Sequence, residues 1–199
     1  MYYAAWDADC QAARSTMEDV ASFFSDTDIL VAAVNCWYPT TDCAKEFGQK
    51  AHSHPFPVFI FYPKDGKGLQ YRGVVSAPHI VSFIRHCRYP LLHVRSVGHH
   101  HDLLANHSSL LLGFTPGTTA ASLDHNHNAV LLTALSLLEY DPHREMVVGV
   151  VTDPHVARHL HIHSSQPVRL FTWNSTLVYP NKTVDSQKLL AWAINSNNR

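Results

Sequence analysis

Apolar residues recur at helical spacing in the first part of the chain. Ala12, Ala13, Met17, Val20, Ala21 and Phe24 predict a helix over 7–24 with that stripe turned to the core. Asp7 suits its N-cap, and Asp9 suits the positive end of the helix dipole. Ser25-Asp26-Thr27-Asp28 interrupts the pattern, and the apolar run that follows predicts a buried strand over 29–34. Residues 59–62 read as the next strand, Lys64-Asp65-Gly66 as a turn, 71–73 as a last strand and 77–87 as a closing helix. Arg88-Tyr89-Pro90 looks like a junction, because proline and the residue before it resist helix continuation.

The pattern restarts at Leu91. Strands are expected over 91–94, 109–114, 146–151, 168–171 and 177–179. Helices are expected over 102–106, 129–140, 156–162 and 186–195, and a polar loop over 115–128. The run at 146–151 is almost wholly apolar, as a central strand covered on both faces requires. The order β-α-β-α-β-α-β-β-α implies an α/β fold, a mixed sheet with helices on both faces. The expected domains are 1–88 and 89–199.

Size and charge narrow the function classes. A length of 199 residues suits one or two small domains, and 46% hydrophobic residues can fill their cores. A formal net charge of -1 provides no basic patch for nucleic acid or anionic lipid. No apolar run approaches the roughly 20 residues of a membrane helix, and no signal-peptide pattern opens the chain. No phosphate-binding glycine loop or nucleophile elbow is present, and nothing calls for a cofactor.

Tyr3-Ala4-Ala5-Trp6-Asp7-Ala8-Asp9-Cys10 has the shape of a dithiol active site whose first sulfur is missing. Such sites carry Cys-x-x-Cys at a helix start, one thiolate attacking a disulfide and the second resolving the mixed disulfide. Asp7 occupies the first position, and a carboxylate cannot form a disulfide. Asp7 therefore reads as a helix cap or as a substitute acid. Cys10 reads as an inert core thiol or as a residual trap.

These residues, with Asn35-Cys36 after the strand and Phe56-Pro57 before the next, resemble the thioredoxin-like superfamily of protein disulfide isomerases. The resemblance covers about the first 90 residues in order. It implies a first domain that lacks its N-terminal strand-helix-strand, and so is poorly stable alone, and a second, non-catalytic thioredoxin-like domain. It implies a Cys36–Cys43 disulfide, a cis-proline at Pro57 and a client-binding face of Trp6, Phe56 and Pro57. Asn35-Cys36-Trp37, Tyr89-Pro90-Leu91-Leu92 and the segment 173–180 further resemble the N-terminal part of a family of membrane-anchored endoplasmic-reticulum proteins with several thioredoxin domains. That resemblance implies folding or maturation of partner proteins, dual oxidases among them. An intact Cys-x-x-Cys outside this chain is the alternative.

Two further features stand apart. Asn106, Asn174 and Asn181 each begin an Asn-x-Ser/Thr sequon, as glycosylated proteins of a secretory compartment carry. The chain has sixteen histidines, and nine of them cluster at 99–101, at 125 and 127, and at 155, 159, 161 and 163. On a helix His155, His159 and His163 would share a face, and on a strand His159, His161 and His163 would. A metal-binding module is the third reading, set against scattered surface histidines.

Overall fold

A computed structural model describes residues 1–37, 43, 47, 55–64, 66–116 and 125–197. The contacts divide the chain into two compact units, Met1–Arg88 and Tyr89–Arg199.

In the first unit, β1 (Tyr2–Tyr3) lies parallel to β2 (Val34–Asn35), and β3 (Phe59–Phe61) runs antiparallel to β4 (Leu69–Tyr71). A bridge between Tyr2 and Val58 joins the two pairs, with both backbone bonds made at 2.8 and 3.0 Å. Helices α1 (Ala8–Phe23) and α2 (Ala77–Arg88) also belong to this unit. The buried face of α1 is narrower than its sequence suggests. Cys10, Ala13 and Val20 are buried, whereas Ala12 and Ala21 are exposed.

The buried strand expected over 29–34 is not formed. Only Val34 and Asn35 join a ladder, and Leu30 is 90% exposed. The physical reason is the length of β1. It offers two residues for pairing, plus the Met1 amine to the Ala32 carbonyl and the Met1 carbonyl to the Val34 amide. The last strand also moves, from 71–73 to Leu69–Tyr71.

The second unit is a five-stranded sheet in the order β5 (Leu92–His93), β7 (Met146–Val151), β6 (Ser109–Phe114), β8 (Val168–Thr172), β9 (Thr176–Val178). The first three strands are parallel and the last two antiparallel. Every residue of β6 and β7 is buried, which is expected for 146–151 and holds for Ser109–Phe114 as well. One face packs Leu111, Val148 and Leu170 against α4 (His125–Tyr140) and α6 (Ser186–Asn197). The other packs Leu110, Leu112, Val147 and Phe171 against α3 (Val97–Asn106) and α5 (Pro154–His159). The Thr133 hydroxyl ties the first face together, donating to the carbonyls of Ala129 at 2.7 Å and Ser186 at 3.2 Å.

Three expectations shift in this unit. Helix α3 begins at Val97 rather than at 102, because the Ser96 hydroxyl accepts from the His99 amide and caps it. Helix α4 begins at His125, so the polar loop is shorter than 115–128, and its residues 117–124 lie outside the described ones. Helix α5 ends at His159, and His161 is left-handed with φ 56°. His163 makes only an isolated bridge to Gln166. Neither the helical nor the extended histidine face therefore exists, and among the described residues no three His, Cys, Asp or Glu side chains are grouped to hold a metal.

Candidate functional site

Three segments meet at one end of the first unit's strands: the exit of β1, the exit of β2, and the residues entering β3. The register of β1 on β2 and the Tyr2–Val58 bridge set them side by side.

Asp7 has extended backbone and caps α1, its Oδ1 accepting from the Cys10 amide at 2.9 Å. The Asp7 amide donates to the Ala4 carbonyl at 3.2 Å. One carboxylate oxygen is thus committed to the helix end. Cys10 is a free thiol, 3% exposed, and the Ala4 amide donates to its sulfur at 3.4 Å. Burial is the largest influence and pushes this thiol's pKa up, the Ala4 amide is the next largest and opposes it, and the Asp7 and Asp9 carboxylates raise it further. Both effects disfavour the thiolate, the form that attacks disulfides. A cavity of about 450 Å³ runs beside α1, and Cys10, Gln11, Arg14 and Val31 form part of its wall.

Past β2, Cys36 and Cys43 are joined in a disulfide with Cα atoms 5.5 Å apart. Tyr2, Val34, Phe47 and Phe56 pack on it. Phe47 stands edge-on to Tyr2 at 5.1 Å and to Phe56 at 6.1 Å. The Phe56–Pro57 peptide is cis. The structure thus places Phe56 half-buried on the disulfide cluster.

Trp6 has a different partner. Its ring meets Trp37 edge to face at 4.4 Å, and both rings are more than half exposed. The Trp37 amide donates to the Asn35 side chain at 2.9 Å, which fixes the turn that presents Trp37. Sequence reasoning did not assign Trp37 to the site. Its signal was position alone, one residue beyond the cysteine that ends the strand.

The sequons are in the second unit. Asn106, Asn174 and Asn181 are all exposed. Among the described residues no helix is long and apolar enough to cross a membrane.

No protein-family model matches the chain. Thioredoxin domain-containing protein 11 of Bos taurus is 29% identical over 196 residues, 97% of this chain and 20% of the relative. The Homo sapiens protein of the same name is 28% identical over 222 residues, covering 97% and 22%. The chain therefore spans about one-fifth of the length of these curated relatives. Among solved structures, human ERp44 form II aligns with a TM-score of 0.60 at 14% identity, over 98% of this chain and 52% of that one. Form I aligns with a TM-score of 0.55 at 15% identity, over 98% and 50%. Fold and sequence together make this a chain of thioredoxin-like fold that resembles thioredoxin domain-containing protein 11.

Proposed function

We propose that this chain is a redox-inactive, thioredoxin-like binding module that assists protein folding or maturation in the endoplasmic reticulum. One observation carries the reading. Where a dithiol enzyme needs its attacking sulfur, Asp7 caps the helix, and the remaining thiol, Cys10, is buried and held in its protonated form. What is left at that end of the unit is a surface for binding: the exposed Trp6–Trp37 pair, with Phe56 and Pro57 on the strand entry. Trp37 joins the client-binding residues on the strength of that pairing.

The endoplasmic reticulum is supported by the resemblance to thioredoxin domain-containing protein 11 and by the Cys36–Cys43 bridge, which suits an oxidising compartment. A dual oxidase is the partner that the resemblance suggests, and the parent protein would then be membrane-anchored. The purified chain is expected to give no turnover in an insulin-reduction assay, and measurable turnover would overturn the reading. Asp7→Cys supplies the missing sulfur at the helix start, next to the positive end of α1. This variant is expected to gain turnover and to form a bridge to Cys10.

The second reading is a substrate-positioning part of a larger thiol-disulfide oxidoreductase. It is favoured by the small share of the relatives that the chain covers. A Cys-x-x-Cys in the adjoining reading frame distinguishes it.

A further inference from the structure

The three sequons are equivalent in sequence but not in structure. The Asn106 side-chain amide donates to the Asp102 carbonyl at 2.8 Å and so helps to close the end of α3. The Asn181 amide donates to the Tyr179 hydroxyl at 3.4 Å, beneath a buried ring of the core. Asn174 has no such tie: among the described residues its amide has no hydrogen-bond partner. It stands at the tip of the β8–β9 hairpin. That turn is closed without it, by the Thr172 amide to the Ser175 carbonyl at 2.9 Å and the Thr172 hydroxyl against the Ser175 hydroxyl at 2.9 Å.

Its neighbour, Trp173, is 71% exposed, more than Trp6 or Trp37. Among the described residues no ring or hydrogen-bond contact uses this indole, although burying one is normally among the larger apolar gains available to a protein. An exposed, isolated indole beside a free sequon amide on a tight hairpin is suited to a covalently attached sugar. The sugar's apolar C–H face covers the ring while its hydroxyls stay in water.

We propose that Asn174 is the N-glycosylation site of this chain and that the first sugar of its glycan lies over Trp173. In the transfer, a bond forms between Asn174 Nδ2 and the anomeric carbon of an oligosaccharide carried on a polyprenyl diphosphate. The sugar–phosphate bond breaks, the polyprenyl diphosphate leaves, and the amide gives up one proton. Asn174 loses no fold contact in this exchange, whereas Asn106 and Asn181 each carry a hydrogen bond that a glycan would disturb. The glycan would also keep the hairpin tip soluble, as exposed sugar does at protein surfaces.

The test uses the full chain, directed into the secretory lumen of cultured cells by an added cleavable signal sequence. Signal cleavage verifies entry, so the result does not depend on where the natural protein resides or on client binding. Glycosidase release in heavy-oxygen water followed by peptide mapping is expected to mark Asn174, at higher occupancy than Asn106 or Asn181. Loss of the mark in Asn174→Gln would accompany it. A signal-cleaved chain whose Asn174 is unmarked overturns the proposal. Hydroxyl-radical footprinting then compares glycan-bearing and enzymatically stripped protein. Trp173 is expected to lose most of its oxidation when the glycan is present, and equal oxidation overturns the covering of the ring.

Discussion

His100 is a titratable side chain buried in an apolar environment. It sits on α3, 6% exposed, and neither ring nitrogen has a hydrogen-bond partner. Its ring meets Phe171 of β8 at 4.6 Å and His101 at 5.4 Å. Burial lowers its pKa, and the charge of neighbouring His101 lowers it further. The folded chain therefore holds His100 neutral, while the unfolded chain takes up a proton as pH falls below 6.5. Stability from this site is complete above that value. It is lost as pH falls from 6.5 towards the lower folded pKa, with a limiting slope of about 1.4 kcal/mol per pH unit. His100→Leu should flatten the pH dependence of the second unit's denaturation midpoint between pH 7 and 5. An unchanged slope in urea titrations would show that other groups set it. Arg144 is the complementary case, a buried cation at φ 60° that donates to the Pro90 carbonyl at 2.7 Å and so fastens the start of the unit.

Among the elements, β6 and β7 illustrate how closely a sheet with two covered faces is packed. A Cβ on Gly149 would lie 2.8 Å from the Leu92 carbonyl oxygen and 3.1 Å from Leu112 Cδ2. The first of these is backbone and cannot yield without parting β5 from β7. Gly149→Ala is thus expected to destabilise by roughly 1–3 kcal/mol, as overpacking does, and to loosen the short β5 ladder first. Backbone amide exchange in Leu92–His93 would report that loosening, and protection equal to the parent's would contradict it. Helix α1 shows the opposite economy, since its cap and its buried Cys10 come from the same few residues that would otherwise carry chemistry.

Across the whole molecule, packing and strand pairing are divided unevenly among the described residues. The second unit has two continuous cores, one on each sheet face. The first has strands of two or three residues and leaves 29–33 largely unpaired. Amide exchange should accordingly be fastest at 29–33 and slowest in Ser109–Phe114 and Met146–Val151, tracking local opening. Heating should give two transitions, with the first unit melting at the lower temperature. A single transition shared by both sets of amides would refute this. The same unevenness bears on function, because the unit with the shorter described strands carries the Trp6–Trp37 surface.

Much was legible before any coordinates. Asp7 at the helix start is a one-letter fact, and so is Cys10 three residues on. Met146–Val151 declares itself because a strand covered on both faces is apolar almost throughout, a constraint written locally. The order of elements in the second unit follows from the same periodicities. Pairing belongs to tertiary structure. The apolar run at 29–33 reads as a strand, yet a strand is made by its neighbours, and β1 supplies only two residues of ladder. Trp37 reaches Trp6 because two parallel strands end together, a distance no spacing encodes. The three sequons differ only in what their amides touch once the chain is folded, and His100 becomes buried only when α3 packs on β8.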